Sequence, residues 1–289
     1  MSPITEYHRP QTLDEALALL QRDGTVPLAG GSHLVPARSP DVQAVVDLQD
    51  LGLDELSVEG DRIRLGAMVR LQRLVESPDQ VGELLAGAAH LEGPLTYRHA
   101  ATVGGTIAVA DPLSSLLIAL LALDAEVHLC QLPAVRLSAH AEASSPLPPA
   151  LSLDRLLEDP REVLDGQLIT GVTALSPAAA PGVALVRVAR TPRDKPIVAV
   201  AVRVAAAGPV CGDVRIALAG VAGRPIRAYA AEEQLKGQPL EKSRVDGAVA
   251  AALEKVDVPS DFKGSSEYRR EMAAVLTWRA LLEAYEKLA

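Results

Sequence analysis

The segment AATVGGTIAVADPLSSLLIALLALDAEVHL, residues 100–129, contains the longest unbroken apolar run of the chain, from Leu116 to Leu123. A membrane span needs about 20 apolar residues, so this run is too short to cross a bilayer. It predicts instead an apolar helix over 113–123, followed by a strand over AEVHLC. A chain of 289 residues is long enough to bury such a helix, so a packed globular protein is expected.

Two glycine pairs are the strongest indication of function in the sequence, one in LAGGSHL (28–34) and one in ATVGGTI (101–107). A hydroxyl side chain, Ser32 or Thr106, follows each pair. Glycine tolerates positive φ and lets backbone N–H groups approach an anion without a Cβ in the way. Neither pair has the spacing of a P-loop or of a Rossmann G-x-G-x-x-G. The two pairs predict one diphosphate held between two lobes, with ordinary tight turns as the alternative.

Composition excludes several function classes. The two cysteines, Cys130 and Cys211, lie far apart, and the six histidines are scattered, so we expect no disulfide framework and no metal site. A formal charge of −9 and few aromatic residues argue against a nucleic-acid partner. The N-terminus lacks the basic-then-apolar profile of a secretory signal, which predicts a cytoplasmic protein without a membrane span.

The pattern along the first part of the chain alternates helices and short strands. Thr12 and Glu15 have capping-box spacing before a periodic apolar face, which predicts a helix over 12–22. Strands are predicted at TVPLAGG, VQAVVDL, RIRLGAMV and QLITGVTAL, helices at 71–77 and 80–91, and a surface loop at 138–149. This arrangement forms a domain over 1–177 with one lobe over about 1–55 and another over about 56–177.

A second domain is predicted over 178–289. The segment SPAAAPG (176–182) can support neither a strand ladder nor an apolar helix face, so the boundary is placed near 178. VALVRVAR, PIVAVAVRVAA and CGDVRIALAGVAG then predict a three-stranded antiparallel sheet. Helices at 229–235, 243–256 and 266–287 complete an α+β arrangement.

At this point the sequence resembles a known family. AGGSHLVP and ATVGGTIAVADPLSSLLIALLALDAEV are similar to the two FAD-binding signatures of the flavoprotein (medium) subunit of the molybdenum hydroxylases, the xanthine dehydrogenase and carbon monoxide dehydrogenase family. YHRPQTLDEALALL resembles the N-terminal opening of that family. IALAGVAGRPIRAYAAEEQLKG and EYRREMAAVLTWRALLEA resemble its C-terminal domain.

The resemblance implies a two-lobed FAD-binding fold of the vanillyl-alcohol-oxidase (PCMH) type, followed by a C-terminal α+β domain. It implies an oxidoreductase subunit that passes electrons from a [2Fe–2S] small subunit, beside a molybdopterin-binding large subunit, through FAD to NAD, a quinone or another acceptor. No side chain of the chain itself is expected to be catalytic. The FAD-binding residues carried over by position are Leu28, Ala29, Gly30, Gly31, Ser32, His33, Leu34, Thr102, Val103, Gly104, Gly105, Thr106, Asp111 and Ser115.

Two positions depart from the family pattern, which usually has Asn where this chain has Thr106 and Asp where it has Ser115. Both departures remove polar contacts, so we expect flavin binding to be weakened but not abolished. They also leave a second hypothesis open, a non-catalytic scaffold or assembly protein of the same fold. A self-contained flavin oxidase is a third hypothesis, which the lack of a recognisable substrate base disfavours.

Two basic features have more than one interpretation. Arg98 either satisfies loop carbonyls or lies near the cofactor or a partner. The run RTPRDK (190–195) is either a solvated hairpin tip or a cationic surface near the flavin edge or an electron acceptor.

Overall fold

A computed structural model of the chain describes residues 4–131, 150–180, 182–207 and 210–288. The predicted surface loop at 138–149 lies outside these residues. The helices are α1 (Leu13–Leu20), α2 (Leu34–Ala37), α3 (Leu71–Glu76), α4 (Pro78–Leu91), α5 (Leu95–Ala100), α6 (Val103–Val109), α7 (Ser115–Ala122), α8 (Leu153–Glu158), α9 (Pro160–Leu164), α10 (Tyr229–Leu235), α11 (Lys242–Leu253) and α12 (Ser266–Glu286). The strands are β1 (Glu6–His8), β2 (Thr25–Leu28), β3 (Ala44–Asp47), β4 (Leu56–Glu59), β5 (Arg62–Gly66), β6 (Glu126–Gln131), β7 (Ala150–Ser152), β8 (Gln167–Leu175), β9 (Gly182–Val188), β10 (Val198–Ala207), β11 (Val210–Ala219) and β12 (Ile226–Arg227).

The first sheet is parallel, in the order β1-β3-β2, and α1 packs against it. The capping signal of α1 is confirmed, because the Thr12 hydroxyl accepts a hydrogen bond from the Glu15 N–H at 3.2 Å. Ala16, Leu17 and Leu20 form its buried face. The first glycine-rich loop follows directly on the carboxyl end of β2 in this sheet.

The second sheet has the order β4-β5-β8-β6-β7, with the late strand β8 at its centre. β8 pairs antiparallel with both β5 and β6, so a segment near residue 170 joins strands formed about 40 and 100 residues earlier in the chain. The predicted helices are confirmed in α3 and α4, and α4 bends at Gly82, whose φ is 80°. These helices and α7 cover the buried face of this sheet.

The third sheet is antiparallel as expected, but it has four strands in the order β12-β11-β10-β9 rather than three. The added strand, β12, is only two residues long, too short to show an alternating pattern in sequence. Alternation along β10 buries both of its faces: Val200 and Val202 pack toward the C-terminal helices, and Ala199 and Ala201 toward the central core.

The small alanine face of the third sheet explains the apolar helix α7. Every residue of α7 is buried, because the helix lies between the second sheet, α4 and the alanines of β10 and β11. An all-apolar helix needs cover on every side, and two sheets and a helix provide that cover. None of the described helices is long and apolar enough to span a membrane.

An ion-pair cluster joins the end of α7 to the third sheet. Asp124 accepts hydrogen bonds from Arg203 at 2.8 Å, from Arg215 at 3.0 Å and from Arg227 at 2.7 Å. Burial opposes the charge of Arg227, but its pairs with Glu232 and Asp124 outweigh that effect and raise its pKa. One carboxylate thus holds guanidinium groups from three neighbouring strands.

Asp124→Asn is expected to lower the free energy of unfolding by about 1 kcal/mol, because it removes the carboxylate that the three guanidinium groups share, while Asp213 and Glu232 still pair with them. The expected loss is below that of a fully buried pair, since the Asp124 side chain is 31% exposed. Urea unfolding followed by circular dichroism measures the change. Asp165→Asn, at an exposed carboxylate of the same type, serves as the control and should change stability by less than about 0.5 kcal/mol. Equal stability of the two variants would contradict the role of the cluster.

Candidate functional site

A cleft of about 340 Å³ separates the loop after β2 from α6. Both glycine-bearing segments contribute to its walls. Its lining residues are Pro27, Ala29, Gly30, Gly31, Ser32, His33, Leu34, Ala37, Tyr97, Ala101, Thr102, Gly105, Thr106, Ala108 and Val109. The structure therefore brings together two segments that lie about 70 residues apart in sequence, as their similarity predicts.

The cleft continues into a second, more apolar cavity of about 210 Å³. Pro27, Ala29, Gly105 and Ala108 line both spaces, which places the two cavities side by side. The walls of the second cavity also include Leu48, Met68, Gly104, Leu164 and Ile169. An elongated ligand with one polar part and one flat apolar part matches such a pair of spaces.

The loop at the first glycine pair offers free backbone donors. In the described part of the chain, no atom accepts a hydrogen bond from the N–H groups of Gly30, Gly31, Ser32 or His33. Gly31 has a φ of 66°, the left-handed conformation that turns successive N–H groups toward one side. Free N–H groups beside a left-handed residue are what an anion-binding nest requires, and the assignment of this loop to an anion stays a prediction.

Gly30 has a different reason to be glycine. A Cβ on Gly30 would lie 1.7 Å from the carbonyl oxygen of Ala100, which is far closer than van der Waals contact permits. The loop after β2 and the end of α5 thus touch backbone to backbone here. The absence of a side chain at Gly30 allows this close approach.

The second glycine pair corrects the sequence interpretation. Gly104 and Gly105 do not form a positive-φ turn; they lie in the first turn of α6, capped by Thr102. Their N–H groups are already bonded, that of Gly104 to the carbonyl of Ala67 at 2.9 Å and that of Gly105 to the Thr102 hydroxyl at 3.1 Å. The motif T-x-x-G therefore makes a helix cap, and this segment offers the cleft a wall rather than a second set of donors.

The absence of a Cβ matters at both glycines of α6 for packing. A Cβ on Gly104 would lie 2.7 Å from the Cβ of Ala67, so the helix could not approach β5 as closely. A Cβ on Gly105 would meet only the Thr102 hydroxyl at 3.1 Å and the Ala29 Cβ at 4.0 Å. Gly105 consequently faces open space in the cleft, and its missing side chain leaves that space free.

Other predicted residues of the two motifs divide between the cleft and the core. Thr106 lines the cleft, but its hydroxyl donates to the Thr102 carbonyl at 2.9 Å and so is not a free donor. Val103 is fully buried and lines neither cavity, and Leu28 packs beneath Gly31 instead of lining either space. His33 lines the cleft and is exposed, in keeping with a backbone contribution.

Asp111 and Ser115 also line neither cavity, and their part in binding the cofactor stays a prediction. Asp111 precedes α7, accepts from the Leu113 N–H at 2.8 Å and pairs with Lys195. The Ser115 hydroxyl is buried and has no partner among the described residues. The cap of α7 is Ser114, one residue earlier, and sequence alone does not distinguish these adjacent serines.

Buried polar groups support the segment between the cleft and α7. Glu92 accepts from the Ser114 hydroxyl and from the Leu116 N–H, each at 2.8 Å, and its burial raises the pKa of its carboxyl group. Burial lowers the pKa of Lys195 while its bond to Asp111 raises it, and the net shift is upward. The ion pair of Lys195 and Asp111 therefore links the β9–β10 hairpin to this segment.

Of the two roles considered for Arg98, the structure shows the first, the satisfaction of loop carbonyls. Arg98 is buried and donates to the Gln72 side chain at 2.9 Å and to the Gly93 carbonyl at 2.6 Å. Its neighbour Tyr97 lines the cleft, as do Pro27 and Ala108, and sequence analysis assigned none of these three residues to the site. Only the glycine motifs carried a signal in sequence, because apolar wall residues look like any other core residue.

The two halves of the chain match two family models. Residues 3–142 match the FAD-binding domain in molybdopterin dehydrogenase, and residues 184–284 match the CO dehydrogenase flavoprotein C-terminal domain. The first match includes every residue that lines the cleft.

Individual proteins agree with the family models. The glyceraldehyde dehydrogenase medium chain of Sulfolobus acidocaldarius is 30% identical over 97% of this chain and 98% of that protein. The carbon monoxide dehydrogenase medium chain of Afipia carboxidovorans is 31% identical over 96% of each. Among solved structures, carbon monoxide dehydrogenase from Hydrogenophaga pseudoflava superposes with a TM-score of 0.85 at 27% identity, over 99% of both chains.

Proposed function

Because the chain belongs to the family of FAD-binding medium subunits of the molybdenum hydroxylases, we propose that it is the electron-transfer subunit of a multi-chain dehydrogenase. Its cofactor is FAD. We propose further that it assembles with a molybdopterin-binding large subunit and a [2Fe–2S] small subunit. In this arrangement electrons arrive from the small subunit and leave toward NAD, a quinone or another acceptor, in the cytoplasm.

One observation carries the proposal, the cleft with free N–H donors on one wall and Gly105, which has no side chain, on the opposite wall. The N–H groups of Gly30, Gly31, Ser32 and His33 suit the negative charge of a diphosphate. Gly105 leaves room for that group, and the apolar second cavity suits a flat ring. The residues present therefore fit FAD.

The bound flavin supplies the redox chemistry, and the chain binds it, orients it and excludes water from it. A [2Fe–2S] cluster takes four ligands, commonly thiolates, whereas this chain has only Cys130 and Cys211. These two residues lie on different sheets, on β6 and β11. The electron donor is therefore expected on another polypeptide.

The purified chain is expected to bind FAD and to oxidise no carbon monoxide, aldehyde or purine by itself. Co-expression with its cognate molybdopterin and iron–sulfur chains should yield a stable complex that turns over substrate. Size-exclusion chromatography, the flavin absorption spectrum and activity assays on both samples test this. Substrate hydroxylation by the isolated chain would overturn the proposal.

The same experiment tests the scaffold hypothesis, which two observations favour. The hydroxyl of Thr106 is engaged within α6, and Ser115 lies away from the cleft, so neither offers the flavin a free donor. If the chain joins the complex but carries no flavin at saturating FAD, the scaffold hypothesis replaces the electron-transfer function. A flavin retained in the complex eliminates the scaffold hypothesis.

A further inference from the structure

The proposed function accounts for only one of the two flat rings of FAD. The cofactor carries an isoalloxazine ring at one end of its diphosphate and an adenine ring at the other. The free N–H groups of residues 30–33 suit the diphosphate, and the apolar second cavity suits one ring. The other ring therefore needs a wall within the first cleft.

Tyr97 provides such a wall. Among the described residues that line the two cavities, it is the only phenylalanine, tyrosine or tryptophan. It lines the first cleft and not the second cavity. Flat rings stack favourably on aromatic side chains, so the first cleft offers a contact that the second cavity lacks.

The Tyr97 side chain is held in place. A Cβ on Gly93 would lie 2.8 Å from Cδ1 of the Tyr97 ring, so glycine at this position lets the ring pack directly on the backbone. The next residue, Arg98, donates to the Gly93 carbonyl at 2.6 Å and fastens the same turn. Tyr97 also packs against the central core. A prepositioned ring loses little conformational entropy when a ligand covers it, which favours binding.

A cation lies on the same side of the cleft as Tyr97. Lys195 pairs with Asp111, which lies two residues after Val109 of the cleft wall. Burial lowers the pKa of the Lys195 ammonium, whereas its bond to Asp111 and the nearby Tyr97 raise it, and the net shift is upward. Tyr97 is thus within electrostatic reach of a positive charge. Among the described residues, no charged side chain lines the second cavity.

These surroundings distinguish the two rings of FAD. The isoalloxazine ring accepts electrons, and a nearby positive charge favours its reduced form. It also has to exchange electrons with other chains, which is slow over long distances. The second cavity is closed in by buried residues such as Leu48, Met68 and Leu168. The adenine ring has neither requirement, so the second cavity suits adenine and the Tyr97 side of the cleft suits isoalloxazine.

We propose that Tyr97 is the residue on which the isoalloxazine ring of FAD lies, at the Lys195 side of the cleft. This inference rests on the proposed function. It adds to the cleft a cofactor-binding side chain outside both glycine motifs, and it leaves the second cavity to the adenine ring.

The test compares FAD with ADP, which keeps the adenine ring and the diphosphate but lacks the isoalloxazine ring. Titration calorimetry of the flavin-free chain measures both dissociation constants. Tyr97→Leu is expected to weaken FAD binding about tenfold, because a stacking surface is lost, and to leave ADP binding within about twofold. Tyr97→Phe keeps the ring and should retain the FAD affinity within about twofold.

Flavin fluorescence gives a second readout. A tyrosine stacked on an isoalloxazine ring quenches its emission by electron transfer, whereas phenylalanine does not. Bound FAD should be dim in the unmodified chain and severalfold brighter in Tyr97→Phe, although its affinity is unchanged. A purely structural role of Tyr97 would leave the emission of the bound flavin in this variant as it was.

The control and the outcomes separate this inference from the proposed function. Tyr229→Leu changes an exposed tyrosine that lines neither cavity and should alter neither the FAD affinity nor the emission. An equal loss of ADP and FAD affinity in Tyr97→Leu would place adenine at Tyr97 and overturn the assignment. Unchanged FAD affinity in Tyr97→Leu, or unchanged emission in Tyr97→Phe, would overturn it as well. Failure of the unmodified chain to bind FAD would instead contradict the proposed function.

Discussion

Gly105→Val is expected to remove FAD from the protein while the fold remains intact. The added side chain meets no backbone, only the Thr102 hydroxyl and the Ala29 Cβ, so its bulk extends into the cleft. Valine is tolerated in the first turn of a helix, and glycine is a poorer helix former. A ligand forced against such bulk loses about 2 kcal/mol or more, so the dissociation constant of FAD should rise at least about 30-fold.

Fluorescence titration of flavin-free protein measures this constant, and circular dichroism confirms the fold. Gly247→Val is the matched control, since Gly247 also lies within a helix and a Cβ there would meet nothing within 4 Å. It should retain the FAD affinity of the unmodified chain. Full flavin stoichiometry and unchanged affinity in Gly105→Val would refute the assignment of the cleft to FAD.

Gly30→Ala is expected to destabilise the whole fold, although it adds only one methyl group to the same cleft. The methyl group would lie 1.7 Å from the Ala100 oxygen and 2.5 Å from its carbonyl carbon, both backbone atoms that cannot rotate away. The loop after β2 and the end of α5 would have to separate. We expect a loss of more than about 3 kcal/mol in the free energy of unfolding.

Denaturant unfolding of the flavin-free variant measures the loss without a contribution from the ligand. Gly223→Ala, at a loop glycine whose added Cβ would meet nothing within 4 Å, should change stability by less than about 0.5 kcal/mol. Gly31→Ala should cost about 1–2 kcal/mol, because its φ of 66° strains any residue with a Cβ. If Gly30→Ala were as stable as Gly223→Ala, the close backbone approach at the cleft would be wrong.

The two variants together show where prediction from sequence succeeds and fails at this site. The glycine pairs look alike in sequence, and both were expected to turn the backbone toward an anion. In the structure only the first pair belongs to a loop with free donors. The second begins a helix, because Thr102 caps the N–H of Gly105 and because glycine lets α6 pack against Ala67.

Local patterns were sufficient for most elements. The capping box predicted α1, the continuous apolar run predicted α7, and alternation predicted β9, β10 and β11. These signals concern residues close in sequence, whose spacing alone decides which side chains share a face. Where the chain divides into domains remains a prediction.

The sequence by itself determined the α+β class, the order of the main elements and, through two short motifs, the flavin family. Tertiary structure alone decided that β8 completes the second sheet, that alanines of the third sheet cover α7, and that Val103, Asp111 and Ser115 lie outside the cleft. The reason is physical. A motif specifies which backbone conformations and contacts are possible within a few residues, whereas the direction in which a side chain points depends on elements tens of residues away that pack against it.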